Sequence, residues 1–287
     1  MLLENDPTQR DFPASYPYQG HIPLIERADH REPSVFRPEN MLREARRQKG
    51  LSDGDVPMIC LLDPDGDMVE WVKRHHGATL SPHWACYHTH MWQWRSDGIS
   101  YGIVGSVVGG PFAVMVAEQL FVSGCQLLIS VASAGRISGT LPPPYHILID
   151  RCLRDEGTSF HYLAPSAYVQ ANPALVALAE EAFGRTGCAV MRGPTWTTDA
   201  PFRETAEAIE RGQRHGVLAV EMEAAGLYAL AAAQGRAIVC LAHVTNQMGC
   251  VHNDFEKGDD NGADDSLRLV TALAHSWFAQ MALARRD

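Results

Sequence analysis

Two rhythms of apolar and polar positions alternate along this chain. Short apolar runs, rich in β-branched residues and closed by Gly, Asp or Ser, recur at residues 56–62, 99–106, 126–133, 145–152 and 188–192, and they read as buried strands. Between and around them, helical spacing predicts helices over Pro38–Lys49, 68–76, 111–123, 173–184 and 266–285. Strand and helix in regular succession predict an α/β protein, a single doubly wound domain with a mixed central sheet flanked by helices. Any ligand crevice then lies at the C-terminal ends of the strands. Residues 1–54, rich in Pro, Arg and Glu, break this rhythm and read as an N-terminal extension or arm on a domain of residues 55–287.

The most apolar unit runs from Val217 to Gln234, VLAVEMEAAGLYALAAAQ, and is followed by Gly235 and a second apolar run, 236–242. Its start predicts a short strand continuing extended through Glu221, Met222 and Glu223, so that the two carboxylates face one pocket and Met222 turns away. The Ala-rich remainder predicts a buried helix with Gly235 as its stop. Two carboxylates at such a junction are costly to bury unless they bind something.

Composition narrows the partners. The 287 residues carry a formal net charge of −10 and 46% hydrophobic residues, which excludes a nucleic-acid binder with a basic stripe and leaves room for a large core. Seven Cys without CxxC spacing read as reduced thiols, the charged start lacks a leader core, and no apolar run is long enough to span a bilayer; a cytoplasmic protein is expected. In HWACYHTHMWQW, His83–Trp94, the alternation of 87–94 predicts an aromatic strand. His83, Cys86, His88 and His90 match no established zinc spacing, so no metal is expected.

The stretch VEMEAAGLY resembles the signature of the nucleoside phosphorylase superfamily, which includes uridine phosphorylase, hexameric purine nucleoside phosphorylase and the methylthioadenosine nucleosidases, with the uridine phosphorylase-like members most similar. The resemblance covers residues 56–285 and implies cleavage of a nucleoside N-glycosidic bond, a uridine-like or 6-oxopurine nucleoside being favoured. By the same resemblance Glu223 grips the ribose hydroxyls and Met222 lies against the sugar, beside Glu221. Gly109 and Gly110, before Pro111, match a Gly-rich ligand loop; Ser133 matches a hydroxyl that touches sugar and acceptor. Trp196 matches an aromatic that stacks on the base, and Arg203 an Arg that contacts a pyrimidine carbonyl. Asn246 stands where purine enzymes carry a proton-donating Asp, and an amide instead pairs with a carbonyl-bearing base.

The chain departs from the phosphorylase pattern in the acceptor site. Leu62 and Val107 replace loop glycines, no Arg occurs between Cys60 and Val72, Thr89 stands at a second Arg position, and Ser130 at a third. A desolvated phosphate dianion needs fixed cationic donors. Three readings follow: a phosphorylase with inorganic phosphate as co-substrate, held by Arg136, Arg154, Arg192 or His88; a phosphate-independent nucleosidase whose water is activated by Asp65 or Asp67; and a nucleoside sensor without chemistry. No other cofactor is expected, and the resemblance implies a homo-oligomer, a dimer or hexamer, acting on a small-molecule nucleoside without membrane or nucleic-acid partners.

Overall fold

In a computed structural model, which describes residues 22–27, 29–138, 141–247 and 256–284, the apolar runs become the strands of one mixed sheet. The elements are α1 (Pro23–Glu26), α2 (Pro38–Lys49), β1 (Ile59–Asp63), α3 (Asp67–His75), β2 (Thr79–Leu80), β3 (Met91–Ser96), β4 (Ile99–Gly105) and α4 (Gly110–Val122). There follow β5 (Leu127–Arg136), β6 (Tyr145–Asp155), β7 (Tyr168–Gln170), α5 (Pro173–Phe183), β8 (Val190–Thr198), α6 (Ala206–Arg214), β9 (Ala219–Glu221), α7 (Ala224–Gln234), β10 (Ala237–Gln247) and α8 (Ala263–Ala284).

The strand order is β10-β6-β8-β9-β5-β1-β4-β3-β2, and β10 also pairs with β5. Strands β5, β10, β6, β8 and β9 therefore close on themselves, while β1 to β4 extend the sheet outward from β5. Parallel pairing of β4, β1, β5 and β10 brings their C-terminal ends to one edge. These strands are buried along most of their length, which explains why they appear in the sequence as continuous apolar runs.

Helix α7 is buried from Ala224 through Leu230 and ends at Gly235, which adopts the left-handed conformation at φ 64°. Its Tyr228 hydroxyl donates to the carbonyl of Ile149 at 2.7 Å and accepts from the amide of Cys240 at 2.9 Å, fixing the helix to β6 and β10. The arm helix α2 packs Leu42 and Ala45 against Ala85 and Val122. Among the described residues no helix is long and apolar enough to cross a membrane.

Three differences from the sequence pattern bear on the site. The strand predicted over 87–94 begins only at Met91, because residues 81–90 form an irregular segment that buries Trp84, Ala85 and Cys86. The strand predicted over 188–192 starts at Val190 and runs on to Thr198, so Trp196 belongs to a strand. Strand β9 ends at Glu221; Glu223, at φ −126° and ψ −37°, already caps α7, and the extended run through Glu223 is absent.

Candidate active site

The early end of β9 separates the two glutamates. Glu221 accepts hydrogen bonds from the hydroxyls of Thr195 (3.2 Å) and Thr197 (2.5 Å) and from the amides of Glu223 (2.8 Å) and Ala224 (2.7 Å). With these donors its carboxylate holds the first turn of α7 to β8. Burial raises its pKa, against the pull of those hydrogen bonds.

Glu223 is directed elsewhere. Its Oε1 accepts from the amide of Gly109 at 2.6 Å, and its Oε2 from the amide of Met222 at 3.3 Å. Burial first, then the neighbouring charge of Glu221, push its carboxyl up to about 8, and Asp65 adds to the same effect. Gly109 reaches this carboxylate at φ 89°, a conformation that excludes most side chains. A Cβ on Gly226 would lie 3.6 Å from Gly110 Cα, so small residues on both sides bring the start of α4 close to α7. Gly109 and Gly110 thus act on the glutamate and on helix packing.

The turn after β1 supplies the opposite wall. Asp63 is buried, accepts from the amide of Val69 at 2.9 Å, and is pushed by burial up to about 7. Its carbonyl accepts from the amide of Ser106, a residue at φ 59°, which ties the ends of β1 and β4 together. Asp65 Oδ1 accepts from the hydroxyl of Ser133 at 2.9 Å. Asp67, the first residue of α3, accepts from Lys257 Nζ at 2.5 Å and from Asn261 Nδ2 at 2.9 Å; Lys257 also lies 3.7 Å from Asp65 Oδ2. Burial pulls the Lys257 pKa down, but the bond to Asp67 and the charges of Asp65, Asp67 and Asp63 outweigh it and raise it overall.

Beneath the turn, His243 and His146 stack at 4.8 Å, and burial depresses both, His146 to about 3. Both imidazoles are therefore neutral at ordinary pH. In β10 the register shifts between Val244 and Asn246, an irregularity that re-aims Asn246 at the strand end opposite Gly135.

Other residues singled out in the sequence lie apart. Trp196 is buried with Ile137, Val217 and Val220, and its Nε1 donates to Asp155 at 3.0 Å. Phe202 is the exposed aromatic of that segment, at 99%, beside the exposed Arg203. His88 is exposed in the segment before β3, and Thr89 accepts from Trp84 Nε1 at 2.9 Å.

The arginines considered as phosphate ligands are engaged elsewhere. Arg136 bonds the carbonyl of Leu141 and Gln247; Arg154 bonds Ser159, Ser166 and the carbonyls of Leu163 and Ala164; Arg192 pairs with Asp150 and Glu180. Ser130 is buried within β5. A cavity of about 440 Å³ lies behind the glycine turn, between Phe36, Met41, Val114 and Tyr162, and includes none of Glu223, Asp65 and Ser133. Lys257, Asn261 and Asp63 were not singled out from sequence; only the Asp at a strand end preceding a helix offered a signal.

A closed mixed sheet with a buried carboxylate, a glycine turn and an acidic turn gathered at its strand ends defines an α/β scaffold of the kind that carries its site at that edge. Residues 59–275 match the family model described as the phosphorylase superfamily, and the chain belongs to that family. It is 28% identical over 194 residues to a guanosine phosphorylase of Halorubrum lacusprofundi, covering 62% of this chain and 78% of that protein. It is 26% identical over 181 residues to a DeoD-type purine nucleoside phosphorylase of Myxococcus xanthus, covering 62% and 76%. The fold matches that of uridine phosphorylase from Vibrio fischeri ES114 with a TM-score of 0.63 at 17% identity, over 76% of this chain and 91% of the other.

Proposed function

We propose that this protein cleaves the N-glycosidic bond of a nucleoside with water as the acceptor, Asp65 taking the water's proton. The observation that carries this reading is the Asp65 to Ser133 hydrogen bond at 2.9 Å, at the edge that also holds Glu223. Membership of the phosphorylase superfamily and similarity to guanosine and purine nucleoside phosphorylases support a nucleoside substrate.

The chemistry follows from the charges. As the bond from C1′ to the base breaks, positive charge develops on the ribose ring, and the Glu223 carboxylate stabilises it while accepting hydrogen bonds from the sugar hydroxyls. In the free site burial favours the neutral form of Glu223; two hydroxyl donors and the developing cation favour the anion in the transition state. Water adds to C1′ as the bond to the base breaks and gives its proton to Asp65; the departing base anion takes up a proton from solvent, and Asp65 then returns its proton to solvent. Ser133 orients Asp65, and Met222 flanks the sugar. Asn246 pairs with a carbonyl-bearing base, so guanosine, inosine or uridine is favoured over adenosine. Asp67 is an unsuitable base, because each of its oxygens already accepts a bond, from Lys257 or from Asn261.

A homo-oligomer, a dimer or hexamer, in the cytoplasm completes the reading; the exposed Phe202 and Phe36 supply apolar surface for such contacts. The test is base release from guanosine, inosine, uridine, thymidine, adenosine and methylthioadenosine, with and without phosphate, by the native chain and by Asp65→Asn. The reading requires release without phosphate that Asp65→Asn abolishes while nucleoside binding survives. Release that persists in Asp65→Asn would refute Asp65 as the base.

A further inference from the structure

Asp67, Lys257 and Asn261 are unused by the reaction above, although they adjoin its base. Lys257 comes from the far end of the chain and is held in place by the hydrogen bond from the amide of Glu256 to the carbonyl of Thr245, at 2.7 Å. Its ammonium meets Asp67 at 2.5 Å and lies 3.7 Å from Asp65. Asn261 fixes the second oxygen of Asp67 at 2.9 Å. The same corner holds the N-terminal turn of α3 and the Ser133 hydroxyl. A fixed ammonium beside a hydroxyl is a donor pair that receives an anion. Here the anions already present are the protein's own carboxylates.

We propose that Asp67 is an acceptor-selecting residue: by occupying Lys257 it closes this corner to an external oxyanion such as inorganic phosphate and leaves water as the acceptor. This rests on the reading of water as acceptor and deepens it. With Asp67 in place, a phosphate dianion approaching Lys257 meets Asp65 and Asp67 and would have to displace a charge-assisted hydrogen bond whose second carboxylate oxygen is also anchored. With Asp67 made neutral, Lys257 turns to an incoming anion, and Asn261 adds an amide donor.

The experiment measures equilibrium binding of radiolabelled inorganic phosphate to the native chain, Asp67→Asn, and the double variant D67N/K257M, alongside base release with and without phosphate. Asp67→Asn should bind phosphate at least ten-fold more tightly than the native chain, and D67N/K257M should lose the gain. No gain in D67N that retains native thermal unfolding, or a gain that survives loss of Lys257, overturns the proposal. Because binding is read without turnover, the two claims fail separately. Phosphate-dependent release by the native chain would refute water as acceptor, whereas the difference between D67N and D67N/K257M reports on the Asp67 and Lys257 pair alone.

Discussion

The amide of Gly109 donates to Glu223 Oε1 at 2.6 Å, joining the turn after β4 to the cap of α7 across 114 residues of sequence. One acceptor site of the glutamate is thereby fixed before any substrate arrives, and orientation of the carboxylate does not have to be acquired on binding. Gly109 sits at φ 89° and ψ 145°, where an added Cβ meets only Pro111 Cδ, at 3.9 Å. Gly109→Ala should therefore act through backbone strain and not through a clash, costing about 1–3 kcal/mol of stability. It should also lower kcat more than it raises KM, measurable by urea unfolding beside steady-state base release.

Glu223→Gln should reduce kcat/KM about 100-fold or more, since the anion that the developing cation draws out of Glu223 can no longer form. Its effect on stability has the opposite sign at high pH. The folded state holds the Glu223 proton up to about pH 8, whereas the unfolded chain releases it near the ordinary 4.5, so the folded state binds more protons in that window. The stability contributed is full below the unfolded value and is lost as pH rises through the folded one. Thermal unfolding should show the native chain losing stability between pH 4.5 and 8 more steeply than the Gln variant, which should be the more stable above pH 8.

Glu221→Ala separates the two glutamates experimentally. Removing its carboxylate strands the Thr197 hydroxyl and two amides at the start of α7, and leaves the Thr195 hydroxyl only the Cys152 sulfur at 3.7 Å. Each buried donor left without a partner costs about 1–3 kcal/mol. Chemical denaturation should register a loss of at least about 3 kcal/mol, the low end of three such penalties. Fully folded protein at low temperature should keep a near-native KM for nucleoside. A purely catalytic defect with unchanged stability would mean that Glu221 meets the substrate.

Trp196→Phe tests whether the indole serves packing or the base. Losing the indole bond to Asp155 should cost about 1 kcal/mol. KM should hardly change across guanosine, inosine and uridine, because the ring packs against Ile137, Val217 and Val220. A large, base-dependent rise in KM would place the indole against the substrate.

The sequence made the helix α7, its Gly235 stop and the strand β10 legible because their long buried spans are apolar at nearly every position, so no face has to be chosen. The segment around Trp196 misled for the converse reason. Thr195 and Thr197 look like loop residues, yet they are buried inside β8 because their hydroxyls have Glu221 as a partner, and a satisfied hydroxyl can be buried without a polar surface. The fate of Glu221 and Glu223 depended on where β9 ends, a boundary that the alternating pattern leaves undefined. Lys257 and Asn261 were hidden in an acidic, Gly-containing run with the composition of a surface loop. Their meeting with Asp67, 190 and 194 residues away in sequence, is a product of tertiary structure alone.

The most direct measurement of the central claim is the sugar product formed by the native chain at saturating phosphate, followed by phosphorus and proton NMR with the best nucleoside of the panel. Free ribose, appearing at the same rate with and without phosphate, is the result that water activation by Asp65 predicts. Ribose 1-phosphate, formed only when phosphate is present, would contradict it and place an anion where the structure has Asp65, Asp67 and Lys257.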